Sequence, residues 1–208
     1  MKKVFLGLFV CLLSACTLGS MNTPKEKVKE FLDKYKNQDS EVLENLDDTI
    51  SSEYTGEYKE RYKTLMINQY KNMDYKITDE VIDGDSAVVT ADITVYDYAS
   101  AISNANNYLS EHEDEFYENS SDETARENNN TTNGDQTTTD STSNNSNNIA
   151  SKVIDSAKFL EYKLGLLEKV SDKKTYTIEF SLTKENDKWK MDSLSDTDIE
   201  KLHGIYSE

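Results

Sequence analysis

Cysteine, proline, tryptophan and histidine are all scarce in this chain. Its 208 residues include two cysteines, one proline, one tryptophan and two histidines. Both cysteines, Cys11 and Cys16, lie within the first sixteen positions, so no disulfide can cross-link the rest of the chain. The remainder must therefore be stabilised by the packing of its apolar side chains.

The same scarcity removes the sequence motifs of several enzyme classes. The histidines, His112 and His203, stand far from both cysteines, so the spacing typical of a His/Cys metal site is missing. The sequence also contains no glycine-rich phosphate loop and no Gly-x-Ser-x-Gly nucleophile elbow. We therefore expect a protein without a metal or organic cofactor, and one that is not an enzyme.

Positive charge is in short supply as well. The chain has 23 basic and 40 acidic residues, and its formal net charge is −17. A protein this acidic is repelled by phosphate backbones and by anionic lipid surfaces. We therefore expect no nucleic-acid partner, and any association with a membrane should come from a covalent lipid.

The first sixteen residues have the pattern of a secretory signal. Lys2 and Lys3 form a short positive start, and an uncharged apolar run follows from Val4 to Leu13. The run is too short to span a hydrocarbon core, which needs about 20 apolar residues. Small residues and a cysteine come next, in the order Leu13-Ser14-Ala15-Cys16. We expect this segment to be removed rather than to anchor the chain.

The ending Leu13-Ser14-Ala15-Cys16 resembles the lipobox of bacterial lipoproteins. In that family the cysteine thiol receives a diacylglycerol, and a peptidase cuts just before it. The resemblance implies a signal peptide at 1–15, lipid attachment at Cys16, a tether at 16–22 and an extracytoplasmic domain anchored to the cell membrane. The alternative is an ordinary signal peptide, with Cys16 a free thiol or discarded.

Removal of residues 1–15 leaves 193 residues, enough for a single domain, which we place at 23–208. Thr23-Pro24-Lys25-Glu26 is typical of a capped helix start, and further helices are expected at 42–46 and 57–73. The apolar period then changes to two. Tyr75, Ile77 and Val81 are predicted to share one strand face, and Asp83-Gly84 predicts a hairpin turn into a second strand.

The second half repeats the alternation of helix and strand. A helical stripe runs from Ala99 to Phe116, and another is expected from Ile149 for about twenty residues. Between them, 119–148 has no large apolar side chain, so we expect this Asn/Ser/Thr-rich insertion to be disordered. Strands at 175–183 and 188–194 follow, with Trp189 expected in the core, and a terminal helix at 196–203 closes the chain.

Two short motifs resemble the nuclear-transport-factor-two-like, or cystatin-like, cone fold. They are the opening Thr23-Pro24-x-x-x-Val28-x-x-Phe31-Leu32 and the closing Lys188-Trp189-Lys190-Met191. The resemblance implies an antiparallel sheet that wraps three helices and leaves a cavity at one end. The predicted fold class is therefore α+β: N-terminal helices packed on a curved antiparallel sheet, with a helical hairpin inserted between strands.

Two functions fit this pattern. The first is a non-catalytic binding or interaction module with a protein or small-molecule partner, for which tyrosines supply candidate contacts: Tyr62, Tyr96 and Tyr98. The alternative is a small enzyme that uses the cone cavity, with Asp92 or Asp97 and nearby tyrosines as acid–base groups.

The acidic residues between Glu111 and Glu118 lack the spacing of a calcium loop, so we interpret them as a solvated surface. The resemblance and the composition together favour the first function.

Overall fold

The computed structural model describes residues 23–52, 54–117 and 153–207. Three helices precede the first two strands, and two helices and a 3₁₀ turn lie between the second and third strands. The elements in chain order are α1 (Pro24–Lys36), α2 (Ser40–Ser51), α3 (Gly56–Asn72), β1 (Asp74–Asp83), β2 (Ser86–Tyr96), α4 (Tyr98–Glu111), the 3₁₀ turn (Glu113–Phe116), α5 (Ser156–Leu167), β3 (Lys173–Glu185), β4 (Lys188–Met191) and α6 (Asp196–His203).

The first helix begins as its sequence predicts. The Thr23 hydroxyl accepts a hydrogen bond from the Glu26 amide, and the Glu26 carboxylate accepts one from the Thr23 amide, which completes a capping box. Pro24 occupies the first turn, where no amide donor is needed. Thr23 is therefore the N-cap of the first described helix.

The four strands form one antiparallel sheet in the order β1-β2-β3-β4. Alternate residues of β2 and β3 are buried, as expected when one face carries the helices and the other meets solvent. The buried residues of these two strands are Ala87, Val89, Ala91, Ile93, Val95, Tyr176, Ile178, Phe180 and Leu182. The predicted α+β class, with N-terminal helices on an antiparallel sheet and helices inserted between strands, is confirmed.

The prediction that Val81 shares a face with Tyr75 and Ile77 is wrong. The pairing register between β1 and β2 shifts between Ile77 and Asp79, and the extra residue in β1 reverses the alternation of side chains beyond it. Val81 therefore lies on the outer face, opposite Val88, and Glu80 turns toward the helices.

The second half of the chain departs from prediction at three element boundaries. Helix α4 begins at Tyr98, one residue before the predicted helical stripe. The helix expected from Ile149 begins only at Ser156, because the Asp155 carboxylate caps its first turn. The last strand ends at Met191 rather than Leu194, whereas the terminal helix Asp196–His203 matches its prediction.

Residues 119–148 lie outside the described residues, but their flanks are close together. Tyr117 and Ile154 form an antiparallel β-bridge, and the Asp155 amide donates to the Phe116 carbonyl at 2.7 Å. Bridged residues have Cα atoms about 5 Å apart. A short connection can therefore replace the insertion.

We predict that the insertion is dispensable for folding. Joining Glu118 to Ile149 through a short Gly/Ser linker should leave the melting temperature within a few degrees of the parent value, because the excised residues offer no apolar face. Thermal unfolding followed by circular dichroism measures this. A large drop in melting temperature would mean that the insertion packs on the domain.

Side chains fill the space between the helices and the sheet. The largest of the fully buried side chains come from α1, the α3–β1 junction and the sheet, and they include Leu32, Met73, Ile93 and Phe180. Phe31 of α1 makes an edge-on contact with Phe180 of β3, with ring centroids 5.9 Å apart. These residues belong to a packed core between the helices and the sheet.

Candidate functional site

Two of the three candidate tyrosines are core residues. Tyr62 is 6% exposed and Tyr98 is 3% exposed. The Tyr98 hydroxyl donates to the Leu65 carbonyl at 3.2 Å, and burial raises the pKa of Tyr98 to about 12. Only Tyr96 is half-exposed, with the Lys173 ammonium 5.3 Å from its ring centroid. The three residues do not form a shared contact surface.

The two aspartates considered as acid–base groups also lie apart. Asp92 is on the outer face of β2 and accepts a hydrogen bond from the Thr177 hydroxyl at 2.8 Å. Asp97 caps α4, accepting from the amide and the hydroxyl of Ser100 at 3.1 and 2.7 Å. Neither carboxylate is directed into the core.

Sequence reasoning missed a buried polar junction beneath Tyr96. The Gln69 side chain is fully buried; its amide nitrogen donates to the carbonyls of Tyr96 and His203, at 3.0 and 2.8 Å. Its oxygen accepts from the Tyr96 amide at 2.8 Å. One glutamine thereby joins α3, the end of β2 and the end of α6. The only signal in the sequence is a glutamine on the apolar side of a helix.

His203 lies beside this junction, among aromatic rings. Its Nε2 is 3.1 Å from the Tyr70 hydroxyl, and its ring centroid is 5.8 Å from that of Tyr70. Desolvation of the imidazole disfavours the charged imidazolium and lowers the pKa of His203 to about 4. Burial raises the pKa of Tyr70 well above its ordinary value.

We therefore predict a loss of stability as the pH falls from 6.5 toward 4. Because His203 has a lower pKa in the folded chain than in the unfolded chain, the unfolded state gains the proton first in this window. The stabilisation is complete above pH 6.5, and the loss approaches the order of 3 kcal/mol near pH 4. Urea unfolding at a series of pH values measures it. His203→Gln should flatten this dependence, whereas His112→Gln, at a half-exposed position, should not; equal slopes in all three proteins would contradict the prediction.

The outer face of the sheet is polar and open to solvent. Short hydroxyl side chains are common on this face of β3. The Thr175 hydroxyl lies 2.8 Å from the Thr94 hydroxyl of β2. The exposed residues of β3 on this face are Lys173, Thr175, Thr177, Glu179, Ser181, Thr183 and Glu185. Within the parts of the chain that the structure describes, no helix covers this face, which leaves a broad surface accessible to a partner.

The end of the β1–β2 hairpin differs from the rest of this sheet. Its three exposed aliphatic side chains are Val81, Ile82 and Val88. Four acidic residues and no basic residue lie between 79 and 88. We call residues 79–88 the hairpin tip. It combines apolar surface with negative charge.

The predicted acidic residues from Glu111 to Glu115 lie at the end of α4 and in the 3₁₀ turn that follows it. His112 and Tyr108 stack with ring centroids 4.2 Å apart, and Tyr108 stacks on Tyr162 of α5 at 4.8 Å. The Tyr108 hydroxyl donates to the Glu115 carboxylate at 2.9 Å, which raises the pKa of Tyr108. Among residues 23–52, 54–117 and 153–207, no group of three or more potential ligands could hold a metal ion.

Two grooves open at the surface of the described domain. One, of about 250 Å³, runs along the end of α1 from Lys29 to Asp39. The other, of about 300 Å³, lies between the start of α4 and the end of α5. The first groove is lined by charged and polar side chains such as Asp33, which pairs with Lys29. The second is lined by polar residues, including Asp97 at the cap of α4, and by the apolar Leu166 and Val170.

No family model, no curated protein and no solved structure matches the chain. Across the described segments, no helix is both long and apolar enough to cross a membrane. The sequence and the exposed surfaces described above are therefore the features that bear on function.

Proposed function

We propose that the protein is a lipid-anchored, extracytoplasmic interaction module without catalytic activity. The lipid is attached at Cys16, within Leu13-Ser14-Ala15-Cys16. The protein acts by presenting the surface of its α+β domain to a partner close to the membrane.

One observation carries this proposal: the capped helix α1 lies only a few residues along the chain from the lipobox-like segment. Thr23 closes the capping box of α1, and it is the seventh residue after Cys16. Seven extended residues reach about 25 Å. A lipid at Cys16 would hold the domain beside the bilayer, where partners in the same membrane are locally concentrated.

The placement of the candidate catalytic groups also favours a binding role. Asp92 and Asp97 are used in a cross-strand hydrogen bond and a helix cap. Large apolar side chains occupy the space between sheet and helices. The polar outer face and the hairpin tip are the surfaces left for contact.

A substitution of Cys16 tests the anchor. In a bacterial host that processes lipoproteins, Cys16→Ala should lose incorporation of an alkyne-bearing fatty acid and should leave the membrane fraction or remain unprocessed, because acylation requires the thiol. Cys11→Ala is the matched control. Cys11 lies in the apolar run before the cut, and its substitution should leave the chain behaving as the parent does. Unchanged labelling and membrane partitioning of Cys16→Ala would refute the proposal.

A further inference from the structure

The hairpin tip extends beyond the helix that covers β1. Near one end of α1 the Lys36 ammonium is 3.1 Å from the Asp74 carboxylate. At the other end the Lys25 amide donates to the Glu80 carboxylate at 2.8 Å. The helix therefore lies along β1 from Asp74 to Glu80 and stops there, while the strand continues to Asp83.

Aliphatic side chains are exposed on both sides of β1 at the tip. Within the described residues the outer face carries no helix, and the overhang also leaves the helix side of the strand end uncovered. Val81 is 58% exposed on the outer face, where it lies opposite Val88. Ile82 is 53% exposed on the helix side. The N-terminal end of α1 lies beside Glu80, so the helix does not cover Ile82. Three of the four large aliphatic side chains that are exposed in the described residues belong to the hairpin tip.

The tip is also the end of an edge strand. Among the described strands, β1 pairs only with β2, and the free side of an edge strand presents backbone donors and acceptors to an incoming strand. An added strand would gain main-chain hydrogen bonds, and its side chains would alternate between the two faces where Val81 and Ile82 are exposed.

Charge selects the kind of strand that fits. The tip carries Asp79, Glu80, Asp83 and Asp85 without a basic residue. A second copy of this edge would bring like charges together, and an anionic lipid surface would be repelled. An extended segment with basic side chains would instead be attracted.

We propose that the edge of β1 between Asp79 and Asp83 binds an extended segment of a partner protein, with alternating basic and aliphatic residues, as a fifth strand of the sheet. This proposal rests on the proposed function in one respect: the lipid anchor brings the domain close to partners at the membrane. The binding itself is a property of the folded domain and does not need the lipid.

The test is fluorescence anisotropy of the full chain with a labelled peptide, Lys-Val-Lys-Val-Lys-Val-Lys, at physiological ionic strength. A second peptide with proline in place of the central valine has the same charge but cannot pair as a regular strand. We expect the first peptide to bind at least about tenfold more tightly than the second. Amide hydrogen exchange of residues 79–83 should slow when the first peptide binds.

Two variants with the same change in charge locate the site. Val81→Lys places a positive charge on the exposed tip and should weaken binding by about tenfold or more. Thr175→Lys places the same charge on the exposed outer face of β3, six residues along the strand and roughly 20 Å from Ser181, the residue that pairs with Val88 of the tip. It should change binding by less than about twofold. Circular dichroism should show both variants folded, since neither position is buried.

Several results would overturn the proposal. Equal binding of the two peptides, or equal losses in the two variants, would indicate general charge attraction. Self-association that Val81→Lys abolishes would identify a second copy as the occupant. Binding of a Cys16→Ala chain to phosphatidylcholine vesicles that Val81→Lys abolishes would identify a lipid surface. Cys16→Ala should keep its affinity for the peptide, so failure of the anchor and failure of this site give different results.

Discussion

Gly204→Ala should destabilise the domain by about 4 kcal/mol or more. Gly204 ends α6 in the left-handed region, at a φ of 72°, which costs a residue with a Cβ roughly 1–2 kcal/mol. An added Cβ would also overlap the Tyr96 carbonyl oxygen and the Gln69 side-chain nitrogen. Since Gln69 is fully buried, displacing it would break hydrogen bonds that water cannot replace, at roughly 1–3 kcal/mol for each unsatisfied group.

Gly84→Ala is the matched control for this prediction. Gly84 has a φ of 60° in the hairpin turn, and nothing lies within 4 Å of a Cβ built there. It should therefore lose only the conformational part, roughly 1–2 kcal/mol. Urea unfolding of the parent and both variants gives the comparison; equal losses at the two glycines would mean that the Gln69 junction adds nothing to stability.

Trp189→Ala should cost about 3–5 kcal/mol of unfolding free energy, much of the roughly 5–15 kcal/mol typical of a domain. Trp189 is 9% exposed and belongs to the same apolar core as Phe31 and Leu32 of α1. The Lys184 ammonium lies 6.0 Å from its ring centroid. Truncation would leave a cavity between β4 and the helices that their side chains cannot fill.

The neighbouring Lys188→Ala provides the baseline, because Lys188 is exposed and should change stability little. Denaturant unfolding measures the free energy, and the emission of the single tryptophan reports on its surroundings. We expect blue-shifted emission that is poorly quenched in the native protein. Red-shifted, readily quenched emission, with nearly unchanged stability of Trp189→Ala, would contradict a core position.

The elements that the sequence predicted well are those governed by local signals. The capping box at Thr23, the Asp83-Gly84 turn and the helix Asp196–His203 all appear as expected. The bulge in β1 has no such signal, because Ile77-Thr78-Asp79 contains neither glycine nor proline. Its position depends on pairing with β2, so the side to which Val81 and Glu80 point was not predictable from β1 alone.

The surfaces were harder to predict than the core. Tyrosine side chains suit packing as well as recognition, and only the fold separates buried Tyr62 and Tyr98 from half-exposed Tyr96. The Gln69 junction joins residues far apart in the chain. The hairpin tip is exposed because the N-terminal end of α1 reaches along β1 only as far as Glu80, and this is a property of the packed layers rather than of any motif.

The central claim, a domain tethered by a lipid at Cys16, is tested most directly by the mass of the N-terminal peptide of the mature protein. The protein should be purified from the membranes of a host that processes lipoproteins, and its N-terminal peptide analysed by mass spectrometry. The account predicts a chain that begins at Cys16 and carries the mass of a diacylglyceryl group on that residue. A peptide that contains Ala15 joined to an unmodified Cys16, or one that begins after Cys16, would contradict it.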